Sequence, residues 1–275
     1  MSTWNVGIAS LRRTTLTKEL FEEYQKAGIR AMEVSLNCNM MGLEKARDIF
    51  RNCGLMDAVK YSKETDVELW SYHLPFDHSE VNPASFDAHV RKNTIELDTE
   101  MIKAVSEAGI KKAVLHASGE PISDADRAES MKYAKDSIFL LNEVAKASGV
   151  TLAVENLPRT CIGKNSAEML ELIAVDPAVK ICFDVNHLLE ESHRDFVKAV
   201  GKHIVTLHVS DYDFIDERHL APGKGKIDWA ELVELLKEAG YNGYFMNEVV
   251  AVMEREKTDK NITMSELRAL NEKIL

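Results

Sequence analysis

The feature that most constrains this chain is a local pattern that appears four times: a charged amphipathic helix ends in a small residue plus glycine, and a short apolar run follows. It reads KAGIRAMEVS at 26–35, EAGIKKAVLHAS at 107–118, ASGVTLAVEN at 147–156 and EAGYNGYFMNEV at 238–249. Glycine just past a helix end tolerates the left-handed cap conformation, so each copy predicts a helix-to-strand turn. Four further apolar runs, WNVGIAS (4–10), VELWSYHL (67–74), VKICFDVN (179–186) and IVTLHVS (204–210), bring the strand candidates to eight. Helical periodicity falls between them near 16–27, 44–64, 86–108, 126–148, 166–174, 189–200, 228–239 and 264–273.

Eight strand-plus-helix units in 275 residues average about 34 residues, the size of one βα unit in an eight-fold barrel. The strand runs are almost continuously apolar, as parallel strands covered on both faces should be. The spacing therefore predicts an α/β fold, a single-domain (β/α)8 barrel over residues 1–275. A doubly wound open sheet is the competing topology, because periodicity cannot show closure. Its usual G-x-G-x-x-G is missing, since the first strand runs into SLRRTT. The 13 glycines and 6 prolines are scattered singly, and no linker-like stretch divides the chain. Asp228 with Glu231, and Thr263 with Glu266, have the spacing of a capping residue and its reciprocal partner.

With 45% apolar and 29% charged residues the chain can bury a full core. Lys+Arg 34 against Asp+Glu 45 gives a formal net charge of −11, which disfavours non-specific contact with nucleic acid or anionic membranes. No apolar run approaches the roughly 18 residues of a membrane span, and the first residues lack the order of a signal peptide, so the cytoplasm is the expected address. Cys38, Cys53, Cys161 and Cys182 form no C-x-x-C pair; they are expected to be reduced, buried and uninvolved in zinc binding.

Polar residues interrupt the strands only at or just past their C-terminal ends. In order they are Glu33, His73, His116, Glu155, Asp184 with His187, His208 with Asp211, and Glu248. Alone, each has an ordinary structural reading as packing or a rim charge. Drawn from seven successive units, they would converge on one mouth of a barrel, where such folds build their sites. Carboxylates gathered there repel one another unless a cation neutralises them, and a divalent metal does so. Three carboxylates and one imidazole without a thiolate suit Mn²⁺, Co²⁺, Mg²⁺ or Zn²⁺. The expected metal set is Glu155, Asp184, His208 and Glu248.

Elsewhere, Pro222-Gly223-Lys224-Gly225 could cradle a phosphate, but a loop turning into the Asp228 cap is the favoured reading. His219 is a better site candidate, with Glu217 and Arg218 divided between surface and substrate contact. His78, His89, His193 and His203 are expected to be solvated. Met40 and Met41 are equally suited to the mouth and to gap-filling, and Trp4 is expected to pack in the barrel. P-loop, zincin and serine-hydrolase signatures are missing from the sequence.

The segments SYHLPF (71–76), VLHAS (114–118), AVENL (153–157), FDVNH (183–187), LHVSDYD (207–213), HLAPGKGKIDW (219–229) and NEVV (247–250) resemble, in order and spacing, the xylose-isomerase-like barrels. That superfamily holds sugar-phosphate isomerases and epimerases, ketose 3-epimerases, inosose dehydratases and endonuclease-IV-type repair enzymes. The resemblance implies that Glu155, Asp184, His208 and Glu248 hold one divalent metal and that Glu155 and Glu248 move the proton. It also implies substrate contacts from His187, His73, His116, His219 and Glu33. In the endonuclease branch His73, His116, His187, Glu217 and His219 would hold additional zinc ions.

The leading expectation is a metal-dependent isomerase or epimerase that transfers a proton next to the carbonyl of a sugar or sugar phosphate. The alternatives are a zinc phosphodiesterase acting at abasic DNA and an inosose-type dehydratase. A small carbohydrate is the expected partner, with nucleic acid and membrane disfavoured and a homo-oligomer common for such barrels.

Overall fold

The computed structural model describes residues 4–10, 13–38, 41–249 and 262–275. Strands β1 (Val6–Ala9), β2 (Ala31–Val34), β3 (Glu68–His73), β4 (Lys112–His116), β5 (Thr151–Glu155), β6 (Lys180–Asp184), β7 (Ile204–His208) and β8 (Phe245–Asn247) form one sheet in the order β7-β6-β5-β4-β3-β2-β1-β8. Every pairing between them is parallel. The two ends of that order meet through a parallel bridge between Val209 and Asn247. Val209 N donates to Met246 O at 2.8 Å and Glu248 N to Val209 O at 2.9 Å, which closes the barrel and removes the open-sheet alternative.

The helices are α1 (Lys18–Ala27), α2 (Leu43–Asn52), α3 (Leu55–Thr65), α4 (Ala88–Glu107), α5 (Arg127–Ala147), α6 (Ser166–Ile173), α7 (His193–Val200), α8 (Trp229–Glu238) and α9 (Met264–Ile274). The single helix expected over 44–64 is two. Gly54 sits between them with φ 79° and ψ 32°, a left-handed conformation that breaks the hydrogen-bond ladder and is cheap only for glycine. Thr263 and Glu266 form the full reciprocal cap of α9. Asp228 caps α8 by accepting from Glu231 N at 3.0 Å, but the Glu231 carboxylate pairs with Arg194 instead of returning the bond. No helix among the described residues is long and apolar enough to cross a membrane.

Side chains alternate along each strand, so residues two apart share a face. Val114, Ala153 and Cys182 fill one small layer of the barrel interior. Two positions further along the same strands stand His116, Glu155 and Asp184, at the C-terminal end. The main core, including Phe21, Tyr72, Ile138, Leu172, Phe196 and Leu236, lies between the strands and the outer helices. The four cysteines are buried and free. Trp4 packs against that core, with its indole N–H donating to Tyr241 O at 3.1 Å.

Candidate metal centre

Strand register places the charged residues side by side. Pairing of β4 with β5 sets His116 opposite Glu155, and pairing of β6 with β7 sets Asp184 opposite His208. The seam bonds to Val209 carry Glu248 to the same level. One ligand atom from each of Glu155, Asp184, His208 and Glu248 lies within 4.8 Å of the others. Glu155 and the other strand-borne pair, Asp184 and His208, are at most 1% exposed, whereas the Glu248 side chain is 15% exposed and faces a cavity.

Each side chain is held by its neighbours. Asn156 clamps the Asp184 main chain, accepting from its N–H at 2.8 Å and donating to its carbonyl at 2.9 Å. Asp184 Oδ1 accepts from Asn186 N at 2.7 Å, which leaves Oδ2 without a hydrogen bond although it is fully buried. Glu248 Oε2 is also without one, despite standing 2.9 Å from His208 Nδ1. Two buried carboxylate oxygens that stand beside an imidazole nitrogen and have no hydrogen bond are suited to a divalent ion. The three-carboxylate, one-imidazole set therefore fits a hard-to-borderline metal.

Glu155 sits at the centre. His208 Nδ1 lies 3.1 Å from Oε1, while His73 Nε2 at 3.2 Å and His116 Nε2 at 3.3 Å face Oε2. Burial pushes this carboxyl up, but the surrounding imidazoles of His208 and His116 outweigh it and hold it well below the usual range. Burial dominates at Asp184 and raises it. Burial opposes charge on His187, yet Asp184, Glu217 and Glu155 around it lift that imidazole to about 10.

A second group forms beside the first. Ligand atoms of His187, Glu217 and His219 lie within 4.8 Å of one another. His187 Nδ1 donates to Asn156 O at 2.9 Å, which leaves its Nε2 3.3 Å from Glu217 Oε2, and His219 Nδ1 faces Glu248 O at 3.2 Å. Arg159 Nη1 already lies 2.8 Å from Glu217 Oε1.

Above both groups is a cavity of about 280 Å³, lined among others by His73, His116, Glu155, His187, Glu217, His219 and Glu248. Glu33 departs from the expectation of a substrate contact. It is fully buried behind His208, whose Nε2 lies 2.8 Å from Glu33 Oε1, and Ser71 Oγ donates to its Oε2 at 2.7 Å. Asp211 also leaves the mouth. Its carboxylate accepts from Gly223 N, Ile227 N, Tyr212 N and the Trp229 indole at 2.9–3.1 Å, so the 222–225 loop folds around a side chain of its own chain.

His193, expected to be solvated, is buried beneath Phe183 and Tyr212 and donates to Val185 O at 2.7 Å. His78 lines the cavity and accepts from Glu120 N at 2.9 Å. Met41 is 42% exposed, and Met40 lies outside the described residues. The sequence reading missed Arg159, Asn156 and Asn186. Asn156 and Asn186 stand beside or two places from a predicted ligand, a signal that buried polar neighbours support the site; Arg159 carried none.

A parallel barrel with carboxylates and histidines from successive strand ends gathered at its C-terminal mouth defines the class as a (β/α)8 barrel with a buried group that could hold a metal ion. The profile described as xylose isomerase-like TIM barrel matches residues 21–272, and the chain belongs to that family. An uncharacterized protein of Methanocaldococcus jannaschii is 29% identical over 211 residues, covering 74% of this chain and 71% of that one. D-psicose 3-epimerase of Ruminiclostridium cellulolyticum is 26% identical over 180 residues, 60% of this chain and 58% of the enzyme. Among solved structures, D-psicose 3-epimerase of Clostridium cellulolyticum H10 superposes with a TM-score of 0.77 over 98% of each chain at 19% identity. A D-tagatose 3-epimerase-like protein gives 0.75 over 98% of this chain and 100% of that one at 24% identity.

Proposed function

We propose that this chain is a divalent-metal-dependent isomerase or epimerase that moves a proton at a carbon next to the carbonyl of a sugar or sugar phosphate. The observation that carries this reading is the convergence of Glu155, Asp184, His208 and Glu248, with the Asp184 and Glu248 oxygens unbonded, beneath an open cavity. The family and its epimerase members support it.

These four residues would hold the ion. When bound, it supplies positive charge that polarises a substrate carbonyl and offsets the negative charge building on that oxygen as the neighbouring proton leaves. Glu155 ends β5, Glu248 follows β8, and both line the cavity, so in this reading one removes the proton and the other returns it. Two bases on opposite faces of the carbon invert it. The imidazoles of His73 and His116 face Glu155 Oε2 at 3.2 and 3.3 Å and help to orient it, and His187 and His219 stand where substrate hydroxyls would be bound.

Incubation in D₂O with Mn²⁺ and a panel of ketoses and ketose phosphates tests this by deuterium uptake at carbon. Exchange on at least one sugar is expected; none on any would overturn the reading. Product analysis then separates epimerisation from the loss of hydroxide that a dehydratase would show.

A second reading, a multi-zinc phosphodiesterase on abasic DNA, is favoured by the His187, Glu217 and His219 group and by His73 and His116 on Glu155. Metal content decides between them. About one ion per chain supports the sugar enzyme, and two or three zinc ions with clean nicking of abasic duplex support the nuclease.

A further inference from the structure

Glu33 is a fully buried carboxylate with no place in the proton transfer, and both of its oxygens are committed. We propose that Glu33 is a positioning residue that fixes His208 as a ligand through Nδ1 and strengthens it as a donor. The proposal rests on the metal-centre reading above.

The histidines of the site divide into two kinds. His73 and His187 use Nδ1 on the main-chain carbonyls of Leu74 and Asn156, at 2.8 and 2.9 Å, and His219 Nδ1 faces the carbonyl of Glu248 at 3.2 Å. His73 then presents Nε2 to Glu155 at 3.2 Å and His187 presents Nε2 to Glu217 at 3.3 Å. His208 is reversed: Nε2 lies 2.8 Å from Glu33 Oε1, while Nδ1 faces Glu155, Glu248 and Asp184 at 3.1, 2.9 and 3.9 Å. A neutral imidazole carries one N–H; with that proton committed to Glu33 at Nε2, the Nδ1 lone pair would be left for an ion held among the three carboxylates.

The partner's charge distinguishes His208 further. A main-chain carbonyl orients a ring, but a carboxylate also raises the basicity of the ring it accepts from, and such partners are worth about 10–100-fold in metal affinity. His208 is the member of the four-residue group that would bind through nitrogen. Its donor strength is therefore what Glu33 controls.

The backbone is shaped to deliver this contact. Along β2 and β3 the register runs Met32 with Leu69 and then jumps to Glu33 with Ser71, an irregularity that skips Trp70. Such irregularities re-aim side chains next to functional sites. Here the jump sets Ser71 opposite Glu33, where its hydroxyl anchors Oε2 and leaves Oε1 for His208. A buried carboxylate is costly unless it is hydrogen-bonded, and these two bonds offset that cost.

The test is Mn²⁺ titration of metal-stripped wild-type protein and Glu33→Gln, with thermal unfolding of the metal-free forms alongside. The expected result is an affinity weaker by about 10–100-fold with the metal-free melting temperature little changed. If Glu33→Gln does not fold, Ser71→Ala keeps the carboxylate but frees one oxygen, and a smaller loss of about 2- to 10-fold is expected because Oε1 still faces His208.

A zinc-loaded sample with ¹⁵N-labelled histidine gives a readout that a merely structural role would not move. His208 should show a slowly exchanging proton on Nε2 and none on Nδ1. Wild-type affinity in Glu33→Gln, or in Ser71→Ala where Glu33→Gln does not fold, overturns the proposal, as does a proton on His208 Nδ1 in the zinc form. Wild-type protein that binds none of Mn²⁺, Co²⁺ or Zn²⁺ overturns the metal-centre reading and this proposal with it.

Discussion

Arg159 Nη1 lies 2.8 Å from Glu217 Oε1, and the same guanidinium reaches Glu120 Oε1 at 2.7 Å and Asp216 Oδ1 at 3.3 Å. One side chain thus ties the segment after β4 and the segment after β7 to its own segment after β5. It adopts φ 50°, a left-handed conformation that a non-glycine residue keeps only when its surroundings hold it there. Because the side chain is 36% exposed, Arg159→Ala should cost only about 1 kcal/mol of stability. The larger effect should be on ordering. Amide exchange across 213–219 should quicken, and substrate KM should rise more than kcat falls. An unchanged exchange pattern would show that the segment is held without Arg159.

Glu155→Gln and Glu248→Gln each remove a group that, in the proposed mechanism, both binds the ion and moves the proton. Deuterium uptake should fall by at least about 10²–10⁴-fold in each, and Mn²⁺ affinity should fall as well. Measuring exchange at saturating Mn²⁺ separates the two losses. Full activity of Glu155→Gln with its metal bound would remove the two-base mechanism.

Metal removal should lower stability as well as activity. An ion that binds only the folded chain adds RT ln(1 + [L]/Kd), about 2.7 kcal/mol at a hundred times Kd. A chelated sample should therefore melt several degrees lower than one with excess Mn²⁺. Sodium at the same ionic strength is the control for screening.

Asp98, on α4, is fully buried and neither of its carboxylate oxygens has a hydrogen bond. Burial pushes its carboxyl well above the usual value. A carboxyl raised in the folded state contributes stability that is fully present below its unfolded pKa, near about 3.9, and is lost as pH rises towards the folded value. Asp98→Leu should consequently unfold at higher temperature than wild type near neutrality, by roughly 1–3 kcal/mol for an unsatisfied buried group. The gain should shrink towards pH 4. A gain that grew on acidification would contradict this account.

Much of the fold was legible because parallel strands covered on both faces are apolar throughout, so the few polar residues at their ends stand out. His116, Glu155, Asp184, His208 and Glu248 were found this way, and register then brought them together. What was not legible depends on contacts between distant segments or on local backbone shape. The inward turn of Glu33 away from the mouth follows from a register jump in the pairing of β2 with β3. Asp211 reads as one more strand-end acid until the 212–229 segment folds around it. His193 looks like a polar helix residue because its burial comes from Phe183 and Tyr212 on other elements. Gly54 could have signalled the break between α2 and α3, but an unbroken amphipathic pattern concealed it.

The bridge between Val209 and Asn247 closes the barrel beside Glu248, the fourth residue of the proposed ligand set. Asn271 on α9 donates to the Asn247 side chain at 3.1 Å, and Asn247 in turn donates to Gly7 O at 3.0 Å on the first strand. Parting that joint would carry Glu248 off while Glu155, Asp184 and His208 stayed on the remaining staves. Transient gaping of the cylinder would thus appear first as ion escape, making the dissociation rate of a bound dication a clock for how often the ring comes undone.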